Sequence, residues 1–509
     1  MHDLLKFRRQ FLMANELIDD LNSWKHQQID KIHLYAHPDL EVTSKEGPTS
    51  LVILIGYIFN PAKPGSTNRD IISEVALKVS SFDDLIAAVK PYTGRYVIIY
   101  RDDNRFNILH DALGLREVFY STQPNKVVCG SQPNLLARFS KPEIKKSSDR
   151  EVMDFVQNHL PRVRNGRLWP GDGTPYEAVK HLLPNHYLDI VSLESCRYWP
   201  NQPLTRIELD EAVRGCSSFL QGALQAAAQR QTLMLAVTAG EDSRALLAAS
   251  RKMSNSIYYF INKVGALNDQ SGDIKIPREI FRRLGIPFHI QDIPKGVPEE
   301  FRQIFLDNAF YAKEEQLSVI YNIYFKQHNE KINILGVGEI GRTKFFDEPK
   351  KLTPYYLAYM LKHRKSAYAV KECLAWLQEA EPIARRYDLN IMTLFWWEVL
   401  IGCWGPVGNS ESDIAIEEFD PYDSHYLYEM FLSVDAKYRT FRDNILFEEL
   451  IRYMWPQLLD VPINPPGSFY GWVIFLFHKL GIEKILRSLK FRIYSFCYRL
   501  CWKYKTHKC

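Results

Sequence analysis

Residues 233–250 constrain the fold of this chain more than any other segment, because they predict a strand, a tight turn and a helix in direct succession. The apolar run 233–237 is typical of a buried parallel strand. The turn that follows reads Thr-Ala-Gly-Glu-Asp-Ser, and apolar residues resume at helical spacing from Ala245. We therefore expect an α/β sheet in which a helix begins directly after a buried strand.

The turn has the properties of an anion site. At a helix N-terminus, free backbone N–H groups and the positive end of the helix dipole attract negative charge. The Asp242 carboxylate is a suitable ligand for Mg²⁺, and the Thr238 and Ser243 hydroxyls are suitable donors to phosphate oxygens. The simpler alternative is an ordinary connection between a strand and a helix.

The same six residues resemble the pyrophosphate loop Ser-Gly-Gly-x-Asp-Ser of the ATP pyrophosphatases, enzymes that cleave ATP between its α and β phosphates and adenylate an acceptor. Thr238 keeps the hydroxyl of the first serine, whereas Ala239 replaces a glycine and restricts φ at that position. The resemblance implies an ATP site with these nucleotide-binding residues: Val237, Thr238, Ala239, Gly240, Asp242, Ser243, Phe260, Gly336 and Gly338.

The order of the later segments resembles the synthetase domain of asparagine synthetases. A strand is predicted over 256–261, a helix over 272–285 that ends at a glycine, and a third strand over 286–290. After a helical stretch, residues 331–342 predict a strand that enters a glycine-rich turn. In that family a Gly-x-Gly-x-Asp-Glu turn supplies a second carboxylate near the metal.

Glu339 is the acid of this turn, and the resemblance gives it the role of that second carboxylate. Asp242 and Glu339 are thus the implied catalytic residues and the implied Mg²⁺ ligands. Ile340 follows where the family has another acid. Residues 350–460 are predicted to be mostly helical, and within them Glu417 and Glu418 hold the place of a family acid near the synthetase site, or form an exposed acidic turn.

The first 200 residues resemble the glutaminase-like domain of the same family. Apolar runs over 51–59, 96–100, 106–110 and 126–130 predict a layered sheet domain. Class II glutaminases use an N-terminal Cys whose own α-amine acts as the base. The chain begins Met-His-Asp, and its first cysteine is Cys129. We therefore expect a scaffold without glutaminase chemistry, the alternative being an internal cysteine recruited as nucleophile.

The family's Asn-Gly-Glu segment, which shapes the oxyanion hole and glutamine site, falls on Ile55-Gly56-Tyr57 here. This departure also argues against glutamine hydrolysis. The fold class implied by the resemblance is α/β: an N-terminal layered α+β sandwich, then a parallel-sheet domain like the adenine-nucleotide α-hydrolases with a helical C-terminal part. The expected domains are residues 1–200, 205–466 and a tail over 467–509.

Composition excludes several other classes. A chain of 509 residues is long enough for two to four domains, and a net charge of +4 is too small to indicate nucleic acid as a partner. The eight cysteines form no C-x-x-C pair, which gives no sign of zinc or redox chemistry. Because there is no signal-peptide core and no run of about 20 apolar residues, we expect a cytoplasmic protein without a transmembrane helix.

The tail has a charge pattern of its own. From residue 478 to 509 it holds nine basic residues and one acid, with apolar residues at three- and four-residue spacing between them. Such a basic amphipathic helix is typical of peripheral binding to anionic lipid at the inner face of a membrane. The alternative is a helix packed on the enzyme with its lysines in water.

Together these features predict an ATP-dependent, amide-forming ligase that uses Mg²⁺. Its partners are expected to be a small-molecule carboxylate acceptor, either aspartate or a sugar uronate, and ammonia or an amine. Related asparagine synthetase-like proteins occur in surface-polysaccharide loci. A homodimer is compatible with this reading. Two alternatives stay open: a non-catalytic nucleotide-binding protein, and a cyclase of the same superfamily that closes a lactam or a peptide.

Overall fold

The computed structural model of the protein describes residues 2–162, 169–342, 352–440 and 443–465. The predicted tail over 467–509 lies outside the described residues. Its predicted binding to anionic lipid therefore stays a prediction.

The N-terminal part is built from two antiparallel sheets and short helices. Its strands are β1 (Phe11–Ala14), β2 (Lys25–Ile29), β3 (Ile32–Ala36), β4 (Val42–Glu46), β5 (Leu51–Phe59), β6 (Thr93–Arg101), β7 (Phe106–His110), β8 (Phe119–Ser121), β9 (Val127–Gly130), β10 (Val179–His181), β11 (His186–Asp189) and β12 (Glu194–Arg197). Its helices are α1 (His2–Leu5), α2 (Asn68–Lys78), α3 (Phe82–Val89), α4 (Pro133–Phe139) and α5 (Arg150–Asp154).

The two sheets have the strand orders β10-β8-β9-β1-β3-β2 and β12-β11-β7-β6-β5-β4. Strand β5 explains why they form layers, because both of its faces are apolar. Ile53 and Ile55 pack into the core between the sheets, whereas Val52 and Leu54 pack into a second core shared with α2 and α3. The predicted layered α+β sandwich is confirmed.

The C-terminal part contains one parallel sheet among many helices. Its strands are β13 (Leu233–Ala236), β14 (Tyr258–Asn262), β15 (His289–Gln291), β16 (Ile332–Ile334) and β17 (Glu417–Phe419). Its helices are α6 (Leu209–Arg230), α7 (Glu241–Ala249), α8 (Gly272–Leu284), α9 (Glu299–Asn308), α10 (Leu317–Val319), α11 (Pro354–Met360), α12 (Ala367–Arg386), α13 (Ile391–Ser412), α14 (His425–Ser433) and α15 (Ile445–Met454).

The strand order of the parallel sheet is β15-β14-β13-β16-β17, and every neighbouring pair is parallel. In chain order this is 3-2-1-4-5, so the direction of winding reverses between β13 and β16. Sheets of this kind bind ligands at that switch point, outside the carboxyl ends of the strands. The predicted α/β fold class is confirmed, and the topology locates the crevice between the two segments that sequence analysis singled out.

Strand β17 corrects the expectation for residues 350–460. Glu417 and Glu418 were expected either to hold the place of a family acid near the synthetase site or to form an exposed acidic turn. They form no turn, and they pair in parallel with β16 at the sheet edge. Arg116 Nη2 contacts Glu417 Oε1 at 2.6 Å, and Asn333 Nδ2 donates to Glu418 Oε1 at 3.0 Å. These remote polar partners stabilise two buried acids in a strand.

Helix α13 is the one helix in the described part of the chain that is long and apolar enough to cross a membrane. However, 67% of its apolar window is buried inside the protein. Trp397 on this helix is fully buried and donates its Nε1 hydrogen to the carbonyl of Ala112 in the N-terminal part at 2.8 Å. Packing between the two parts thus accounts for the apolar character of α13.

Candidate functional site

Asp242 and Glu339 meet at the switch point of the parallel sheet. Asp242 lies in the first turn of α7, directly after β13, and Glu339 lies in a short turn after β16. Gly338 allows their loops to approach, because a Cβ atom at this position would lie 2.7 Å from Asp242 Oδ1 and 3.0 Å from the Phe447 ring. The structure therefore brings these two predicted site residues together in neighbouring loops.

Arg342 joins the acids of the two loops, and sequence analysis did not identify it. Its Nη2 lies 2.9 Å from Asp242 Oδ2 and 3.6 Å from Glu339 Oε1, and its Nη1 lies 3.2 Å from Glu241 Oε1. Three carboxylates thus surround one guanidinium. Arg342 follows Glu339 by three residues, which is a spacing that brings side chains together in a helical turn.

Burial and charge act on Asp242 in opposite directions. The pKa of Asp242 is raised from 3.8 to about 7, because burial and the neighbouring acids together outweigh the lowering by Arg342. Its Oδ2 contacts Arg342, whereas its Oδ1 is buried without a hydrogen-bond partner among the described residues. An acceptor of this kind is costly unless a cation or donor binds to it.

The loop residues that were predicted to cradle phosphate make hydrogen bonds within the protein. The N–H of Thr238 donates to Ser243 Oγ at 3.1 Å, and the N–H of Gly240 donates to Thr238 Oγ1 at 3.2 Å. Asp273 Oδ1 accepts from the N–H of Ala239 at 3.0 Å. Two hydroxyls that were expected to bind phosphate therefore accept hydrogen bonds from backbone N–H groups of the loop. The carboxylate of Asp273 accepts a third, so these N–H groups are not free.

The amide of Val237 and the side chain of Phe260, which were also predicted to bind the nucleotide, make contacts within the protein. Val237 donates its N–H to the carbonyl of Phe260 at 3.0 Å, and the Phe260 ring is buried beside Met234 and Ile416. Helix α7, in contrast, begins at Glu241 without a side-chain cap. Its first turn offers backbone donors and a positive dipole end to an anion. Within the predicted loop, the structure thus leaves the first turn of α7, which carries Asp242 and Ser243, as the part with backbone donors for an anion.

The loop after β17 forms a third wall of the site. Tyr422 donates its hydroxyl hydrogen to the carbonyl of Asp242 at 2.9 Å. Asp420 Oδ2 accepts from the N–H of Val337 at 3.0 Å, and burial raises the pKa of Asp420 to about 7. Tyr422 and Asp420 were not among the predicted site residues, because β17 was not predicted and the resemblance pointed only to Glu417 and Glu418 in this region.

Two further side chains orient the acids. Trp396 on α13 donates its Nε1 hydrogen to Glu339 Oε2 at 3.1 Å. Asn444 Nδ2 donates to Glu241 Oε1 at 3.1 Å. Both contacts join the acids of the site to helices of the C-terminal part, which restricts the positions of the carboxylates.

Arg244 connects the loop between β13 and α7 to the last described segment of the chain. The residue is fully buried, and its Nη1 and Nη2 donate to the carbonyls of Val461 and Pro462 at 2.5 and 3.1 Å. Asn464 in turn donates its N–H to the carbonyl of Ala239 at 3.1 Å. The last described segment of the chain is therefore fastened to the loop between β13 and α7.

The residues present fit a magnesium ion with an attached phosphate. The described residues contain no group of three or more His, Cys, Asp or Glu that could hold a metal by itself. Mg²⁺ usually binds one or two carboxylates and completes its shell with water and substrate phosphates. Asp242, with its Oδ1 left without a partner, and Glu339 meet this requirement.

Cys129, the first cysteine of the chain, is not accessible in the structure. Cys129 is fully buried in the core between the two sheets, and burial raises the pKa of its thiol. In the same part, the Tyr57 hydroxyl donates to the carbonyl of Glu418, and Arg95 binds Asp413 in a bidentate pair at 2.5 and 2.7 Å. This surface is used for contact with the parallel-sheet part.

Comparisons with known proteins do not assign the chain to a family. No protein-family model and no curated protein matches it. One similar structure is the NH3-dependent NAD synthetase from Campylobacter jejuni subsp. jejuni NCTC 11168 in complex with the nitrate ion, with 12% identity, coverage of 38% of this chain and 92% of that one, and a TM-score of 0.20. Another is described as the allosteric regulatory enzyme of purine biosynthesis, with 12% identity, coverage of 62% and 83%, and a TM-score of 0.25. At these TM-scores neither match decides between functions, and membership of the asparagine synthetase family stays a prediction.

Proposed function

We propose that this protein is an ATP-dependent ligase that adenylates a carboxylate, releases pyrophosphate and then forms an amide. The observation that carries the proposal is the position of Asp242 and Glu339 at the switch point between β13 and β16, where parallel sheets bind ligands. A buried acceptor oxygen on Asp242 and the uncapped start of α7 occur at the same place. Together they suit a metal ion and a phosphate group.

In this proposal the first turn of α7 binds the phosphates of ATP, and Asp242 and Glu339 hold Mg²⁺. The metal neutralises charge on the phosphates when bound. Arg342, which contacts all three acids of the site, is within the same cluster and supplies a further positive charge for the leaving pyrophosphate. Tyr422 holds the backbone of Asp242 in place through the Asp242 carbonyl.

The proposed reaction has two displacements. A carboxylate oxygen of the acceptor forms a bond to the α-phosphorus of ATP, and the bond from that phosphorus to pyrophosphate breaks. The nitrogen of ammonia or an amine then attacks the acyl carbon, the bond from this carbon to AMP breaks, and the nitrogen loses a proton. Aspartate and a sugar uronate are the two proposed acceptors.

The products of ATP cleavage test this proposal. Purified protein with Mg²⁺, ammonium chloride and a panel of carboxylates should form AMP and pyrophosphate in an acceptor-dependent reaction. Asp242→Asn should lower the rate at least about a hundredfold, because a preorganised charge at the reacting phosphate is lost. Asp269→Asn, which changes an acid that is 56% exposed and paired with Arg278, is the matched control. Formation of ADP, or full activity of Asp242→Asn, would overturn the proposal.

A second candidate is a nucleotide-binding protein without catalysis. Two observations favour it. Arg342 forms an ion pair with Asp242, which is proposed to hold the metal, and Asp273 accepts a hydrogen bond from the N–H of Ala239. Under this alternative ATP binds, but no carboxylate in the panel supports AMP formation. Equilibrium binding of ATP, measured beside the product assay, separates the two candidates.

A cytoplasmic location, with the tail at a membrane surface, belongs to the first proposal.

A further inference from the structure

Two buried acids from different parts of the chain meet beside the loop that follows β17. Asp111 comes directly after β7 in the N-terminal part, Asp423 comes four residues after β17, and each is 1% exposed. Their side chains are in hydrogen-bond contact. Ionised carboxylates only accept hydrogen bonds, so this contact requires a proton on one of them. The two parts of the protein are therefore joined at this point through a shared proton.

The hydrogen bonds around the pair indicate which acid carries the proton. The oxygens of Asp111 accept from three backbone N–H groups, those of Tyr96, Leu115 and Arg116, at 3.1, 2.6 and 2.9 Å. Three such donors stabilise the charged form of a carboxyl group. Asp423 Oδ1 accepts one N–H, that of Leu113, at 2.8 Å, whereas its Oδ2 is buried and receives no donor from the described residues. The proton therefore belongs on Asp423, which donates it to Asp111.

The charges around the pair favour the same assignment. Burial, the charge of Asp111 and the contact with Asp111 raise the pKa of Asp423 well above 3.8. The other ionisable groups that face this pair are an acid and three phenols rather than cations: Asp420, Tyr96 on β6, Tyr198 and Tyr428 on α14. A proton on Asp423 is thus the way to limit negative charge in this buried space.

The nearby bases have other partners in the described structure. The ring nitrogens of His110 contact the carbonyls of Asp111 and Leu182 at 2.7 and 3.1 Å. His425 Nε2 contacts the Tyr198 hydroxyl at 2.7 Å, and burial lowers the pKa of His425 to about 3, so its ring is neutral. The ammonium group of Lys90 pairs with Glu429. These contacts leave the proton, rather than a basic side chain, between the two acids.

The loop that carries Asp423 also forms a wall of the candidate site. Tyr422, the preceding residue, donates its hydroxyl hydrogen to the carbonyl of Asp242 at 2.9 Å. Asp420 accepts from the N–H of Val337 at 3.0 Å. A contact that fixes Asp423 therefore also fixes the residues that hold the other two loops of the site.

From this geometry we propose that Asp423 is a positioning residue, which keeps its carboxyl proton, donates it to the Asp111 carboxylate and thereby holds the loop after β17 against the N-terminal part. Loss of the proton places two like charges side by side in a buried interface, where they repel more strongly than in water. The loop should then separate from Asp111, and Tyr422 should lose its contact with Asp242. The role of this contact in catalysis rests on the proposed function, whereas the shared proton does not.

Infrared spectroscopy of the protein without nucleotide tests the proton directly. At pH 8 Asp423 should still absorb as a protonated carboxylic acid, whereas the acids whose pKa is raised to about 7 are mostly ionised: Asp242, Glu117, Glu372, Glu418 and Asp420. The absorption should be lost in Asp423→Asn and kept in Asp269→Asn, which changes an exposed acid. Its absence from wild type, which needs no variant to fold, or an unchanged absorption in Asp423→Asn overturns the proposal.

Melting temperatures test which acid carries the proton. Asn in place of Asp423 keeps an acceptor for the Leu113 N–H and presents an amide hydrogen to Asp111, so this variant should match wild type at pH 4. Above about pH 4 the unfolded wild-type chain releases a proton that the folded state keeps, so wild type loses stability as the pH rises and the variant should melt higher at pH 8. Asp111→Asn should melt lower at both pH values, because an amide group cannot accept from all three N–H groups. The opposite pattern would place the proton on Asp111 and overturn the proposal.

The pH dependence of AMP formation tests the positioning role. Asp423→Asn should keep its activity to a higher pH than wild type, whereas Asp269→Asn should follow the wild-type profile. Identical profiles of wild type and Asp423→Asn would show that the proton supports the fold alone, and would overturn the positioning role. Absence of AMP formation at every pH, with the infrared and melting results as expected, would instead refute the proposed function.

Discussion

Replacing Asp242 by Asn should lower the proposed activity at least about a hundredfold and at the same time stabilise the protein without ligand at pH 8. The pKa of Asp242 is raised from 3.8 to about 7, so holding this carboxylate ionised costs the folded state free energy. At about 1.4 kcal/mol per pKa unit, this cost is at most about 4 kcal/mol. It is absent below about pH 4, grows between pH 4 and 7, and is complete above pH 7. Asn removes the charge and therefore the cost.

The experiment measures the melting temperatures of wild type and Asp242→Asn at pH 4 and pH 8. The variant should melt higher at pH 8, and the difference should disappear at pH 4. Glu379→Gln is the control of opposite sign. Burial raises the pKa of Glu379, but His186 and Arg197 outweigh burial and hold it at about 2, so the loss of this charge should destabilise the protein at pH 8. Lower stability of Asp242→Asn at pH 8, or an equal shift at both pH values, would refute the reasoning.

Three further predictions concern the loop, the nitrogen source and the tail. Asp273→Asn keeps an acceptor for the Ala239 N–H but removes a negative charge beside it. Pyrophosphate should therefore bind several-fold more tightly in a calorimetric titration. Unchanged or weaker binding argues against competition between Asp273 and pyrophosphate for the loop. Purified protein should not release glutamate from glutamine, and glutamate release that Cys129→Ala abolishes would imply a relocated nucleophile. Full-length protein should co-sediment with anionic but not neutral vesicles, whereas a chain ending at Pro466 should not; binding that is indifferent to lipid charge contradicts this.

The sequence predicts those elements whose stability comes from their own residues. Strands over 51–59 and 106–110 occur in the structure with the predicted bounds. The first is a continuous apolar run, and the second is mostly apolar, with Asn107 and His110 as its polar residues. The helix predicted over 272–285 occurs as Gly272–Leu284, and Gly285 ends it with a φ of +66° that glycine adopts without strain. Predictions failed at strand ends: the strand expected over 286–290 begins only at His289, because Ile286 still donates its N–H to Phe281 in the helix end.

The features that were missed depend on partners far away in sequence. Strand β17 has two acids among its three residues, and it is a strand because Arg116 and Asn333 compensate those acids. The occupied amide of Ala239 was missed for the same reason, since its acceptor on Asp273 comes from the next helix of the sheet. Local pattern cannot reveal a polar contact whose second partner is brought close only by the fold.

The charge balance at the switch point connects this missing information to function. Three acids around Arg342 leave two negative charges in excess when all are ionised. A fold selected for stability alone has no use for a buried acceptor on Asp242 that lacks a partner, because removing it should raise the melting temperature. A divalent cation supplies two positive charges and accepts that oxygen as a ligand. It therefore balances the excess negative charge and gives the buried oxygen a partner. The same residues that make the site unfavourable without a ligand thus make it suitable for a metal ion bound to a nucleotide.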